Sequence, residues 1–170
     1  MDIGNSDRRT VLLDISSGRQ VSVQEVLEAI QVLEKQKSIA NSQATLAGAW
    51  FLLWTSGTKQ YQESSKALIK PIAKTSSVIQ RFDIDRSWIE NEVRLPYFAL
   101  IVEGPFVYSV EKKIQFTFQR VRLKMSFLPE IKVPFGTWAS GWLRTTYLDQ
   151  ELHIERGDRG GVSVYRKEVF

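Results

Sequence analysis

The stretch that decides the fold is Lys113-Ile-Gln-Phe-Thr-Phe-Gln-Arg-Val-Arg-Leu-Lys-Met-Ser-Phe127. Its apolar side chains alternate with polar ones in two successive sets, namely Ile114, Phe116 and Phe118, then Val121, Leu123, Met125 and Phe127. A period of two is typical of an antiparallel strand that turns one face to a core and the other to water. The stretch therefore predicts two strands with one wet face each.

The same period extends outward in both directions from this stretch. Further candidate strands are residues 48–56, 77–84, 87–95, 97–103, 106–110, 140–148, 151–156 and 162–167, with Gly104-Pro105 as a break. About eight strands are enough to close a barrel around a small ligand. We therefore expect a mainly β fold, an antiparallel barrel preceded by a helix.

The helix is predicted by Ser22-Val-Gln-Glu25, which has the form of a capping box. An apolar stripe follows at helical spacing and ends near Lys37; its members are Val26, Leu27, Ile30 and Leu33. We expect this stripe to cap the main body. The predicted organisation is one domain over residues 1–170, with 1–21 as a flexible N-terminus or first strand, 22–47 as a helical segment and 48–167 as the barrel. Residues 58–74, rich in Lys and Ser, are predicted to be helical or a mobile lid.

Composition narrows the function classes. The chain is 43% hydrophobic and 25% charged, as in ordinary globular proteins, and its net charge of +4 is too small for a nucleic-acid binder. With no Cys and one His it has no thiolate site and little basis for a His metal site, so no metal or cofactor is predicted. The first nine residues do not resemble a targeting peptide, and no window has the roughly 20 apolar residues of a spanning helix. We expect a soluble or peripheral protein.

Two motifs carry a resemblance to a known family. Gly48-Ala49-Trp50 follows the predicted helix and resembles the opening of a lipocalin-type barrel, in which the Trp plugs the closed end. Gly141-Trp142-Leu143 and the stretch from Thr146 to Gly161, which reads TYLDQELHIERGDRGG, resemble the C-terminal motif of the plastid lipid-associated protein, or fibrillin, family. The resemblance brackets the chain from about Gly48 to Val164.

This resemblance implies a lipocalin-like barrel from a cyanobacterium or plastid, associated with carotenoids, prenylquinones or membrane lipids. The expected partner is one apolar small molecule, such as a bound carotenoid, quinone or lipid, with a possible peripheral thylakoid contact and no nucleic acid. The expected location is the cytoplasm or thylakoid surface of a cyanobacterium, or the plastid stroma for a mature plant form. No oligomeric state is predicted.

The candidate ligand-binding residues are the large apolar side chains of the strands and one arginine on a strand face. They are Trp54, Phe116, Phe118, Leu123, Met125, Phe127, Trp142 and Arg144. A barrel interior and a ligand cavity use the same kinds of side chain, so plain core remains an equal interpretation for most of them. Arg144 is included because an inward arginine would pair with an acidic ligand.

The C-terminal motif is interpreted as structural. Asp149, Arg156 and Asp158 flank turns rich in glycine, including Gly157, and are expected to satisfy turn amides and each other at a barrel end. We also expect Arg156 to cross the barrel base and stack on Trp50, next to the opening Gly48. His153 is predicted to be a surface or rim residue.

The sequence contains no carboxylate pair, nucleophile elbow or phosphate loop, so the leading hypothesis is non-catalytic binding of an apolar molecule. One alternative is a bilin- or tetrapyrrole-handling lyase or transfer factor on the same barrel, which should show an inward Arg and an acid near one mouth. The other is a structural coat protein of lipid bodies, such as plastoglobules, or of thylakoids, with a filled interior.

Overall fold

The computed structural model describes residues 3–17, 21–36, 43–56, 77–109 and 111–168. Its helices are α1 (Ile3–Asp14), a 3-10 turn (Ile15–Ser17), α2 (Val23–Glu34) and α3 (Gln43–Leu46). Its strands are β1 (Gly48–Thr55), β2 (Ser77–Asp83), β3 (Trp88–Arg94), β4 (Phe98–Tyr108), β5 (Lys113–Met125), β6 (Leu128–Leu148), β7 (Leu152–Gly157) and β8 (Val162–Lys167). The predicted lid at 58–74 lies outside the described residues.

The eight strands form a closed antiparallel barrel in chain order, completed by pairing of β1 with β8. The predicted mainly β, antiparallel barrel is thus confirmed. The strands differ greatly in length, because β5 has 13 residues and β6 has 21, whereas β7 and β8 have six each. One wall, made of β4, β5 and β6, therefore rises well above the rest at the end where the β5–β6 hairpin turns.

Gly104-Pro105 does not break a strand, contrary to the prediction, because β4 runs through it. The pairing of β4 with β5 shifts register between Glu103 and Phe106. A Cβ on Gly104 would lie 1.9 Å from the carbonyl oxygen of Thr117. Glycine therefore permits the close approach of the two backbones that this bulge requires.

The two apolar sets of the opening stretch belong to one strand rather than two. The register of β5 with β6 shifts between Phe118 and Arg120. Because such a bulge inserts one residue into the alternation, Phe118 and Val121 both face the barrel interior although three positions separate them. The bulge is what keeps both sets on the same side.

Residues 128–139 form the first half of β6 and were not predicted as a strand. Pro129 and Pro134 weaken the strand pattern there. This half pairs only with β5, since pairing of β6 with β7 begins at Leu143. Proline is tolerated on such an edge, where its missing N–H breaks no ladder.

The capping box is confirmed, with Ser22 accepting from the Glu25 amide and Glu25 bonding back to Ser22. The stripe on α2 is buried at Val26, Ala29, Ile30 and Leu33, whereas Leu27 is 40% exposed and the prediction for it is wrong. The prediction of a flexible or extended stretch over 1–21 is wrong for Ile3–Asp14, which is helical and packs on α2.

Two apolar clusters divide the molecule. The outer cluster joins the helices to the outside of the barrel wall and includes Leu12 and Ile30 with Leu152, Ile154 and Val164. The inner cluster lies within the barrel; its buried members are Leu46, Trp50, Phe82, Ile89, Phe106, Ile114, Leu143, Leu148 and Tyr165. The apolar stripe of α2 thus packs on the main body, as expected, and it does so on the outside of the barrel wall.

Candidate functional site

One end of the barrel is closed by Trp50. Its side chain is fully buried, and its indole N–H donates to the carbonyl of Leu46 in α3 at 2.8 Å. The ammonium of Lys167 lies 5.1 Å from the Trp50 ring centre and donates to the Thr45 carbonyl at 2.8 Å. The aromatic ring and the short helix therefore close this end of the barrel.

At the open end, the inner face of the tall wall carries apolar side chains that water reaches. We call this surface the cup, and its residues are Leu100, Val102, Val121, Leu123, Ile131 and Val133. These residues form two rows across the three strands, and residues paired across neighbouring strands share one face. One row is Leu100, Leu123 and Ile131, and the other is Val102, Val121 and Val133. Leu100 is 40% exposed, and Ile131 and Val133 are each 47% exposed.

Between the plug and the cup lies a layer of buried polar side chains that we call the polar floor. Its residues are Gln80, Asn91, His153, Glu155 and Tyr165. Gln80 and Asn91 face each other across β2 and β3, and His153 pairs with Tyr165 across β7 and β8. The hydroxyl of Tyr165 donates to Glu155 Oε1 at 3.0 Å. The barrel interior is therefore apolar, then polar, then apolar from the closed end to the open end.

Burial changes the acid-base behaviour of the polar floor. Loss of hydration raises the pKa of Glu155 to about 7, against hydrogen bonds from Tyr165 and Gln80 that lower it. The same loss of hydration lowers the pKa of His153 to about 3, so its ring is neutral at physiological pH. The pKa of Tyr165 is raised well above its usual range by burial and by the neighbouring Glu155. At neutral pH, Glu155 is therefore the one group of the five that is partly ionised.

Several atoms of the polar floor have no hydrogen-bond partner in the structure. They are Gln80 Oε1, Asn91 Oδ1, His153 Nδ1 and Glu155 Oε2. His153 Nε2 lies 3.2 Å from the Thr145 hydroxyl, and its ring stacks on Tyr165, which places it next to the plug. Buried polar atoms are normally bonded to protein or to ordered molecules, so this concentration marks a place where a further polar group fits.

The outside of the tall wall carries a network of ion pairs. Arg122 bonds Glu103 at 2.9 Å and also pairs with Glu90, and Arg81 bonds Glu92 at 2.6 Å. Two shallow depressions on this face have volumes of about 440 and 480 Å³. Arginines and carboxylates that neutralise each other line the first depression, which makes it a poor match for an apolar molecule. The second is lined by charged side chains together with apolar ones such as Tyr97, Phe98 and Ile101.

The predicted ligand residues separate into three groups. Phe116 and Phe118 pack beside the inner cluster, and Leu123 is part of the cup. Met125 lines the rim of an outer depression, and Phe127, 90% exposed, lies in the hairpin turn beyond it. These two lie at the edge of the barrel rather than inside it.

The other three predicted residues lie on the outside of the barrel. Trp54 packs in the outer cluster because the pairing of β1 with β8 shifts register between Leu52 and Trp54. Trp142 lies beneath the Lys113 ammonium, 4.4 Å from its ring centre, on the face opposite Leu143. Arg144 is exposed on that same outer face. Their predicted position on an inner wall is therefore wrong.

Asp149 holds the turn between β6 and β7. One carboxylate oxygen accepts from the amides of Glu151 and Leu152, each at 2.8 Å. The other accepts from the Tyr147 hydroxyl at 2.7 Å and forms an ion pair with Arg9 Nε at 2.8 Å. The predicted satisfaction of turn amides is thus confirmed for Asp149.

Arg156 and Asp158 differ from their predicted roles. Arg156 lies outside the barrel and forms two 2.8 Å bonds with Glu34 of α2, so its predicted stacking on Trp50 is wrong. Asp158 is exposed beside Gly157. One oxygen of its carboxylate lies against Gly141, where a Cβ would come within 2.8 Å.

The sequence did not predict the polar floor. The prediction that His153 lies at the surface or rim is wrong, because the His153 side chain is fully buried. In Leu152-His153-Ile154-Glu155 the apolar residues suggest the inner face. The helices reverse this expectation, because Leu152 and Ile154 pack beneath α2 and the polar residues turn inward. When both faces of a strand are buried, its sequence pattern does not indicate which face turns toward the barrel interior.

No helix among the described residues has the length and apolarity to cross a membrane. Within the same residues, no three His, Asp or Glu side chains converge as a set of metal ligands.

The PAP_fibrillin family profile matches residues 12–166. The chain belongs to the PAP/fibrillin family. The family assignment agrees with the motif resemblance at Gly48 and from Gly141 onward.

Relatives in this family are plastid proteins. A PAP/fibrillin relative, plastid lipid-associated protein 3 of Brassica campestris chloroplasts, is 26% identical over 206 residues, covering 92% of this chain and 57% of the relative. Chromoplast-specific carotenoid-associated protein C1 of an Oncidium hybrid cultivar is 22% identical over 204 residues, covering 92% of this chain and 64% of its own length. The chain thus spans less than two thirds of either relative.

A shorter match has a higher identity. The light-induced chloroplast protein of Solanum tuberosum is 48% identical over 56 residues, which cover 32% of this chain and 17% of that protein. No solved structure matches. The names of the Brassica and Oncidium proteins describe association with lipid and with carotenoid.

Proposed function

We propose that this PAP/fibrillin protein binds one apolar small molecule, an isoprenoid, carotenoid, quinone or membrane lipid, at the open end of its barrel, without catalysis. The observation that carries the proposal is the cup, in which apolar side chains of three adjacent strands share one face; Leu100 is 40% exposed there, and Ile131 and Val133 are each 47% exposed. Apolar surface of this kind, closed behind by Trp50, is stabilised when an apolar molecule displaces water from it. The lipid and carotenoid associations of the relatives support the same class of ligand.

The arginines of the strands disfavour the bilin-transfer alternative. Arg94 and Arg122 belong to the outer ion-pair network, and Arg144 is exposed on the outer face. None of these three supplies the inward arginine expected of such a protein.

The open end also favours peripheral contact with a lipid surface, as on a photosynthetic membrane or lipid body. Its apolar tip consists of two neighbouring turns, joined by a bond from the Ser126 amide to the Tyr97 carbonyl at 3.2 Å. Tyr97 is 75% exposed, Phe127 90% and Leu128 60%. An apolar tip beside Lys124 and Lys132 is suited to shallow insertion into an anionic lipid surface, from which the cup would receive its ligand.

Binding is tested by extracting the purified protein with organic solvent, identifying the co-purified lipid or pigment, and titrating it back. Leu123→Gln, in the cup, should weaken binding at least several-fold, since it places an amide against the ligand. The matched control is Lys124→Gln, next along β5 on the outer face, which should leave binding unchanged. Equal binding by both variants, or no saturable binding by the natural chain, would overturn the proposal.

A further inference from the structure

We propose that the polar floor binds the hydroxyl group of an alcohol or phenol whose hydrocarbon part occupies the cup. This inference rests on the proposed function and adds the chemical class of the head group. It starts from three unpaired oxygens on different strands, Gln80 Oε1 on β2, Asn91 Oδ1 on β3 and Glu155 Oε2 on β7.

These oxygens belong to side chains that are held in place. Gln80 is 2% exposed and Glu155 is 7% exposed. Tyr165 engages one oxygen of the Glu155 carboxyl and leaves the other one free. The Gln80 side chain also lowers the pKa of Glu155, which indicates that these side chains of β2 and β7 lie near each other across the barrel. A ligand atom would therefore meet a preorganised set of groups.

The floor is approached from the cup. Asn91 is only half-buried, whereas Gln80, its partner on β2, is buried. In the same way Ser163 is half-buried and Glu155, its partner on β7, is buried. Above Asn91 on the same face of β3 comes Val93, which pairs with Leu100 of the cup. An apolar chain lying along the cup thus directs its end group at Asn91 and Glu155.

The chemistry of the unpaired atoms selects a hydroxyl. The amide oxygens of Gln80 and Asn91 accept hydrogen bonds, and the Glu155 carboxyl accepts when ionised and donates when protonated. A hydroxyl donates one bond to one of these oxygens and can also accept one from Glu155 when that carboxyl is protonated, so it adds a hydrogen bond in either protonation state of Glu155. An ether or a ketone lacks the proton that the amide oxygens require.

An anionic head group fits less well. The buried carboxyl of Glu155 repels a phosphate or carboxylate at short range. Lys167, the cation near the inner cluster, is bonded to the Thr45 carbonyl beside the Trp50 ring on the plug side. The floor therefore favours a neutral group with a proton to donate.

The test compares farnesol with farnesyl methyl ether, which keeps the chain and the oxygen but loses the donor. Displacement of Nile red from the full-length protein gives both affinities. We expect farnesol to bind about tenfold more tightly, as for a hydrogen bond to an otherwise unsatisfied buried group. Glu155→Leu should reduce this preference below about twofold, and Glu155→Gln, which still donates and accepts, should retain most of it.

The matched control is Glu111→Gln, an exposed turn carboxylate, which should keep the natural preference. If Glu155→Leu does not fold, Gln80→Leu provides the same comparison. Equal affinity of the natural chain for the two compounds would overturn the head-group site while supporting the cup. An unchanged preference in Glu155→Leu would also overturn it. Failure of both compounds to bind would overturn the site together with the proposed function.

Discussion

Tyr165 donates its hydroxyl hydrogen to Glu155 Oε1 at 3.0 Å inside the barrel, where both side chains are buried. The bond spans two adjacent strands, since Glu155 lies on β7 and Tyr165 on β8. A carboxyl group at this depth loses most of its hydration, and one phenol cannot replace it. The stability of the barrel should therefore respond to pH through Glu155.

Glu155→Gln should abolish a loss of stability toward higher pH. The pKa of Glu155 is about 7 in the folded chain, against 4.5 for an ordinary carboxyl, so between these values the folded state binds more protons than the unfolded state. The contribution of Glu155 to the free energy of unfolding is thus fully present below about pH 4.5. It is lost as pH rises to about 7, by an amount on the order of 3 kcal/mol. Urea unfolding midpoints at about pH 4.5, 6 and 8 measure the change. A variant with the natural pH slope would contradict the assignment to Glu155.

His153→Gln should make the protein less sensitive to acid. The pKa of His153 is about 3 in the folded chain, against 6.5 for an ordinary histidine, so the unfolded state binds more protons between these values. Stability therefore falls as pH is lowered from about 6.5 to about 3, because unfolding allows the ring to protonate. His153 is the only histidine of the chain, so the difference between variant and natural chain over this window reports on it alone. Parallel acid-unfolding curves would show that the ring is already hydrated in the folded state.

Asp149→Ala should destabilise the barrel without changing ligand affinity. It removes the acceptor for two turn amides and for the Tyr147 hydroxyl. We expect a loss of about 1–3 kcal/mol, with about 2–4 °C of melting temperature for each kcal/mol. The control is Asp158→Ala, an exposed carboxylate of the same motif, which should lie within about 0.5 kcal/mol of the natural chain. Calorimetry of the two variants measures the change in stability, and ligand binding is measured well below the melting temperature. A larger loss of stability for Asp158→Ala than for Asp149→Ala would show that Asp158, not Asp149, holds the motif.

Phe127→Asp should weaken attachment to vesicles. The side chain is 90% exposed at the open end, and a carboxylate there opposes insertion and repels anionic lipid. Val107→Asp is the control, because Val107 is 67% exposed near the closed end, one residue before the end of β4. Flotation with anionic vesicles should fall for the first variant only, and binding by the natural chain should weaken as salt rises. Equal flotation of both variants would place the lipid contact elsewhere.

Much of the fold was predictable because local chemistry specifies it. The alternation in β5 predicts a half-buried strand, and Ser22 with Glu25 predicts the start of α2; both follow from contacts within a few residues. The motif around Asp149 predicts a tight turn for the same reason. Failures occur at bulges, as between Leu52 and Trp54, where one inserted residue reverses the side that every later side chain faces.

The sequence by itself determined an antiparallel barrel of about eight strands, a capped helix before it, membership of a lipid-associated family, and the Asp149 turn. Only the tertiary structure decided which faces are inside. The reason is that α1 and α2 bury the outer face of β7 and β8, so that Leu152 and Ile154 turn outward and His153 and Glu155 turn inward. The hydrophobic pattern of a strand indicates that a face is buried, but it does not indicate which other helix or strand covers that face. The polar floor exists because that covering comes from helices far away in sequence.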